Sequence, residues 1–239
     1  MPPVLGEIWV YLSTTPLLGL TATLLAYLIA VALHQAAGGH PAVNPVAIAV
    51  ALLATVLWAT GTPYRTYFEG AQFVHFLLGP ATVALAIPLW AQRARVRAMW
   101  LPLAIGLVVG VLVAVVSAGA IAWALGASRE TVLSMLPKSV TTPVAMGIAE
   151  RIGGLPSLTA VLVIATGMLG AMIARPLLAA LRIDDHATRG FALGVAAHGI
   201  GTARAFQVSE QMGAFSGLAM GLAALVTAVL VPVLLWVAG

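Results

Sequence analysis

Six stretches of this chain, at about 17–37, 43–60, 68–91, 99–125, 155–181 and 213–237, are nearly unbroken runs of apolar residues. Roughly 20 such residues are what a helix needs to cross the hydrocarbon of a bilayer. Inside that solvent every backbone N–H and C=O must find its partner within the protein, so only helices and closed barrels can cross. The alternating polar and apolar strands of a barrel are absent from the sequence. The chain therefore reads as an all-α integral membrane protein, a polytopic bundle with about six full transmembrane helices. Its 8% charged residues, against about 25% in an ordinary soluble domain, leave no surface for an alternative soluble fold.

The same scarcity of charge limits the functions open to it. A net charge of +4 rests on a few scattered arginines with no aromatic interleaving, which speaks for membrane topology and against nucleic-acid binding. There is no cysteine, which excludes disulfides, thiolate metal sites and cysteine catalysis. No G-x-S-x-G elbow accompanies a histidine and an acid, so a serine hydrolase is not suggested and no enzyme is expected. Asp184-Asp185-His186 reads as a helix-capping turn rather than a metal site. No cofactor is implied. The first sixteen residues lack the basic start and small-residue cleavage site of a signal peptide; Val4, Leu5, Ile8, Trp9 and Leu12 suggest a short helix lying in the membrane interface.

Proline placement refines the spans. Pro41, Pro63, Pro102 and Pro156 fall at or near helix starts, where a missing amide donor costs little. Pro80 and Pro88 lie within the third run and predict a kinked helix. The small residues Gly106, Gly110, Gly167 and Gly170 read as helix-packing notches.

Two segments, 128–153 and 184–211, are not ordinary spans. Each has charged ends and a polar centre rich in glycine, proline or threonine. Irregular backbone at membrane depth survives only where protein or a water-filled cavity surrounds it. Both segments are therefore predicted to be interrupted or re-entrant helices, and such paired interruptions suit a transporter-like inverted-repeat architecture. In the first, Pro137 should end one helix; Ser139, Thr141 or Thr142 can cap the next, which starts near Pro143. Lys138 costs about 2.5–3.5 kcal/mol at membrane depth, which makes it a functional candidate. A cation beside a capped helix start is an anion site, and a small carboxylate is the expected ligand. The second centre reads His198-Gly199-Ile200-Gly201-Thr202-Ala203-Arg204. Gly199 and Gly201 let backbone approach a ligand, Thr202 can cap or bind, and Arg204 can grip a carboxylate with two hydrogen bonds or pair with Glu150 or Glu210. His198 and Glu150 are candidates for proton coupling.

Arginine placement helps with orientation. Arg93, Arg95 and Arg97 should face the cytoplasm. Hairpins entering from opposite faces would bring Arg175, Arg182 and Arg189 to the same side; a crossing broken helix at 128–153 would move Arg182 and Arg189 away. The hairpin arrangement is preferred, with both chain ends outside.

Pro137-Lys138-Ser139-Val140-Thr141-Thr142-Pro143-Val144-Ala145-Met146 and Ala197-His198-Gly199-Ile200-Gly201-Thr202-Ala203-Arg204-Ala205 resemble the corresponding motifs of the LrgB/CidB family of murein-hydrolase modulators, likened to antiholins and holins. Length and motif spacing agree over the whole chain, so the resemblance implies a single LrgB-like transmembrane domain over 1–239. It also implies a multi-pass protein of the inner membrane with a small LrgA/CidA-type membrane partner; a homo-oligomer is a separate expectation, since rigid elements must be anchored if others move. The family includes a plastidic glycolate/glycerate transporter in which LrgA-like and LrgB-like parts are fused, and some bacterial relatives are associated with pyruvate uptake. The implied substrates are small 2-hydroxy or 2-oxo monocarboxylates such as glycolate, glycerate, lactate and pyruvate.

Two functions follow as expectations. One is a transporter or exchanger of such acids, holding substrate between the two centres through Lys138, Ser139, Thr141, Thr142, Pro143, His198, Gly199, Gly201, Thr202 and Arg204. The other is an antiholin-like regulator of murein hydrolase export and cell lysis. Polar residues concentrated at two breaks, rather than spread along helix stripes, favour the first.

Overall fold

The computed structural model describes residues 16–40 and 43–237; the expected interfacial helix at Val4–Leu12 and Pro41 lie outside them. All regular structure among these residues is helical, and the chain forms two compact units, residues 1–84 and 85–239.

The first unit contains α1 (Pro16–Ala36), α2 (Pro45–Thr60), α3 (Tyr64–Phe76) and α4 (Leu78–Ala84). Helix α1 meets α3 closely enough for the Thr23 and Tyr67 hydroxyls to hydrogen-bond at 2.7 Å. The second apolar run is shorter than a full span. Asn44 accepts hydrogen bonds from the Val46 and Ala47 amides, Pro45 opens α2, and Gly61 closes it in the left-handed conformation. Sixteen residues reach about 24 Å, short of the roughly 30 Å hydrocarbon core. Among the described residues five helical stretches can cross a membrane by length and composition, against the expected six: Leu17–Ala36, Tyr64–Ala91, Trp100–Ala124, Pro156–Ala180 and Glu210–Val237. The expected kinks in the third run appear as interruptions at Leu77 and Leu85 within one stretch, Tyr64–Ala91. Pro80 and Pro88 each sit in the first turn of a new short helix, α4 and α5 (Ala86–Ala91), where no amide donor is needed.

The second unit continues with α6 (Arg93–Ala98), α7 (Trp100–Ala124), α8 (Arg129–Met135), α9 (Thr142–Ile152), α10 (Pro156–Ala180), α11 (His186–Val208) and α12 (Glu210–Val237). Exposed Trp100 and Trp123 mark the two ends of α7, about 34 Å apart at 1.5 Å per residue, the spacing of two interfacial aromatic belts. The bundle core is built from Leu103, Leu107, Val111 and Val115 of α7 with Phe191, Val195, Phe215 and Ala223.

Between these long helices the chain twice enters the bundle and turns back. Helix α11 carries non-helical backbone at Ala197 (φ −130°, ψ 17°) and His198 (φ 41°, ψ −134°). A straight helix of 23 residues would separate its ends by about 34 Å, yet His186 Nδ1 and Ser209 Oγ hydrogen-bond at 2.6 Å. The two limbs therefore lie side by side as a hairpin. The first limb runs parallel to α12: the space at Gly190 faces Met212 O and that at Gly194 faces Ser216 O. The return limb pairs Thr202 with Ser216. The earlier segment closes similarly. The Leu155 amide donates to Ser134 Oγ at 2.7 Å and the Thr159 hydroxyl donates to Ser134 O at 3.0 Å, so after α9 the chain returns to the last turn of α8.

The two hairpins open toward opposite ends of this unit. Arg95 pairs with Asp185, which joins α6 to the base of the second hairpin. Asp185 also caps α11, accepting hydrogen bonds from the Thr188 amide and hydroxyl, each at 2.8 Å. Burial alone would raise its carboxyl, but the Thr188 bonds and the Arg95 and His186 charges hold it below the ordinary 3.8. Arg93, Arg95, Arg97, Arg182 and Arg189 thus gather at one end, and Arg129 and Arg151 at the bases of α8 and α9 lie at the other.

Candidate functional site

The hairpin tips meet near the middle of the bundle. A cavity of about 10 Å³ is bounded by Val111 and Val115 from the centre of α7, Leu136 and Ser139 from the first break, Val195 from the second hairpin and Thr227 of α12. That is room for about one water.

At the first tip, Pro137 is fully buried and Val140 nearly so, which locks the break among apolar neighbours. Lys138 is part-buried, and its ammonium makes one contact, to Ser139 Oγ at 3.5 Å. Among the described residues no carboxylate pairs with it. Thr141 occupies the capping position of α9 with extended backbone, but its side chain forms no capping hydrogen bond, and Pro143 falls in the first turn. The hydroxyl cap expected at this helix start is therefore not made. Ser139, Thr141 and Thr142 are part-buried, and Pro143 is exposed.

At the second tip, His198 is buried, with Nε2 2.9 Å from Val163 O of α10. A carbonyl only accepts, so Nε2 carries the proton. The ring reaches that carbonyl across Gly167, where a Cβ would stand 2.8 Å from the imidazole. The positive φ of His198 is a strained conformation for a residue with a side chain. This hydrogen bond and the dense packing around it hold the residue there. Lys138 lies within electrostatic reach of this ring.

Other expected site residues serve the hairpin itself or lie apart from the tips. Thr202 Oγ1 donates to His198 O at 2.8 Å and bonds Ser216 Oγ at 2.9 Å, all within the protein. Gly201 packs against Leu193 of the opposite limb, while Gly199 is part-exposed at the turn. Arg204 does not face Lys138. It lies six residues down the return limb, about 9 Å from His198 along the axis, and hydrogen-bonds Gln207 at 2.8 Å rather than Glu150 or Glu210. Glu150 is exposed in the last turn of α9, at the far end of that helix from the first break.

Sequence reasoning missed Ser216 and the Val163 carbonyl, which become partners only through the fold. It also missed a cavity of about 310 Å³ in which Arg204 meets Arg175 and Arg189. Arg175 carried a signal, since an arginine inside an apolar run is an intramembrane charge in its own right.

Both tip stretches, K-S-V-T-T-P and H-G-I-G-T-A-R, lie within the part of the chain that a family model matches. Residues 23–237 match the LrgB-like family. The chain belongs to the LrgB-like family. It is accordingly a multi-pass membrane protein with apolar spanning helices. The LrgB-like chain is 37% identical over 221 residues to the uncharacterized protein YwbG of Bacillus subtilis (strain 168), covering 92% of this chain and 97% of that one. It is 36% identical over 214 residues to the uncharacterized protein YxaC of the same organism, covering 90% and 93%. It is 31% identical over 220 residues to the antiholin-like protein LrgB of Bacillus mycoides (strain KBAB4), covering 92% and 96%. No solved structure matches it.

Proposed function

We propose that this LrgB-like protein is a secondary carrier of small monocarboxylates, binding its substrate between the two hairpin tips. One observation carries the reading: a lysine stands at the centre of an apolar bundle with a single 3.5 Å contact to a hydroxyl and no carboxylate partner among the described residues. Such a charge is retained at a cost of about 2.5–3.5 kcal/mol, and an anionic ligand offsets that cost. Lys138 attracts the carboxylate. Ser139, Thr141 and Thr142 bond the 2-hydroxy or 2-oxo oxygen, with the uncapped start of α9 behind them. Gly199 leaves space at the facing turn, and His198 holds that turn to α10; Thr202 and Gly201 brace its two limbs. Proton coupling through His198 runs through Nδ1, since Nε2 is held by the Val163 carbonyl. The space between the tips holds about one water, so substrate entry requires the tips to part, and hairpin motion against α7, α10 and α12 supplies alternating access.

The carrier reading sets the protein in the inner membrane with Arg93, Arg95 and Arg97 cytoplasmic, alone or as a homo-oligomer, and with a small LrgA/CidA-type partner. The names of relatives such as the Bacillus mycoides antiholin-like protein LrgB speak more directly for a second reading, an antiholin-like regulator of murein hydrolase export and lysis.

Counterflow in liposomes carrying the pure chain separates the two. A carrier exchanges labelled glycolate, lactate or pyruvate saturably and retains an entrapped dye. Dye leakage without saturable exchange would establish the second reading, and the same assay with the partner protein added tests whether both are needed.

A further inference from the structure

The cavity of about 310 Å³ lies away from the hairpin tips, and its chemistry differs from theirs. Three arginines border it: Arg175 from α10, Arg189 from the entering limb of the second hairpin and Arg204 from the returning limb. The rest of the wall is apolar, with Ala171, Ala174 and Leu178 on one side and Leu193, Val208 and Met212 on the other. Among the described residues Arg189 alone of the three is neutralised, by Asp184 at 2.8 Å, and it also donates to the Ile183 carbonyl. Arg204 is held by the neutral Gln207, and Arg175 forms no ion pair among the described residues. The cavity therefore carries about two uncompensated positive charges.

Its depth matters as much as its charge. Arg175 lies five residues before the end of α10, about 7.5 Å along the axis, at the end of the unit that carries Arg93, Arg95, Arg97 and Arg182. Exposed Ile173 and Leu169 follow Arg175 on α10 toward the middle of the bilayer, so hydrocarbon begins on the inner side of the cationic groups. Planar guanidinium groups suit the oxygens of a phosphate, and basic pockets between membrane helices bind anionic headgroups. We propose that this cavity is a headgroup site for an anionic phospholipid, with the phosphodiester between Arg175 and Arg204 and the acyl chains along Ile173 and Leu169. Because its walls come from α10 and both limbs of the hairpin, bound lipid ties the moving element to a fixed helix.

The test uses the purified full chain in a mild zwitterionic detergent and follows its thermal unfolding as ligand is added. Short-chain phosphatidylglycerol should raise the melting temperature saturably, whereas phosphatidylcholine of the same chain length and inorganic phosphate should not. Arg175→Gln with Arg204→Gln should weaken the lipid response about 25-fold, at about fivefold per arginine near the membrane surface. Arg97→Gln, outside the cavity, should leave it unchanged. If the double variant does not fold, Ala174→Leu, which fills the apolar wall and keeps the charges, should weaken the response in its place. A wild-type response to inorganic phosphate equal to that of the lipid, an unaltered response in a folded double variant, or an unaltered response with Ala174→Leu overturns the proposal.

Discussion

Lys138→Ala is expected to lower monocarboxylate flux by one to two orders of magnitude while leaving the protein as stable as before or more so. A hydrogen bond to a charged group contributes about 1.5–3 kcal/mol, which is about 10-fold to 150-fold in binding. Removing the ammonium also removes a desolvation cost of about 2.5–3.5 kcal/mol and loses only one long contact to Ser139. Lys138→Arg keeps the charge and should retain part of the flux. Counterflow and thermal unfolding measured on the same preparations check this. A stability loss that parallels the flux loss would mean that Lys138 holds the break in shape instead of meeting substrate.

Gly194→Val is expected to disrupt the second hairpin. A Cβ at Gly194 would lie 2.2 Å from Ser216 O and 2.8 Å from Ala219 Cβ, and one at Gly190 would lie 2.1 Å from Met212 O. Two of these neighbours are backbone, so a rotamer change cannot relieve the clash and α12 must move away. Overpacking typically costs 1–3 kcal/mol, occasionally more; about 3 kcal/mol corresponds to a melting-temperature drop of about 6–12 °C for a chain of this size. Gly221→Ala, where a Cβ meets nothing within 4 Å, should be neutral or slightly stabilising. Equal melting temperatures for the Gly194→Val and Gly221→Ala variants would rule out this close helix contact.

Features read from local chemistry survive the comparison with the structure best. Pro137 ends α8 because it offers no amide donor and disfavours helical backbone at the residue before it, and the glycines and polar groups around His198 mark the second break because they weaken a helix locally. The apolar runs report the length of the spans, although the Asn44 and Gly61 caps trim one to 16 residues. Features that depend on neighbours distant in sequence were not legible. Thr141 has the right residue type and backbone for a cap, but its side chain is not used as one. Arg204 shares a polar stretch with His198, yet the return of the limb carries it away from the tips and toward Arg175 and Arg189. The notch that admits the His198 ring is Gly167, on another helix. In sequence it is one small residue among many.

The central claim is that two hairpins entering from opposite ends bring their tips together at mid-depth. The chain has no cysteine, so paired cysteines can be placed without background. Ser139→Cys with Val195→Cys sets one thiol on the first break and one beside the second, on residues that line the same small cavity. His186→Cys with Ser209→Cys reports the hairpin base, where the native side chains bond at 2.6 Å. With a short bifunctional thiol reagent in membranes, both pairs should cross-link. Cross-linking at the base with none between Ser139→Cys and Val195→Cys would contradict the meeting of the tips, and with it the proposed substrate site.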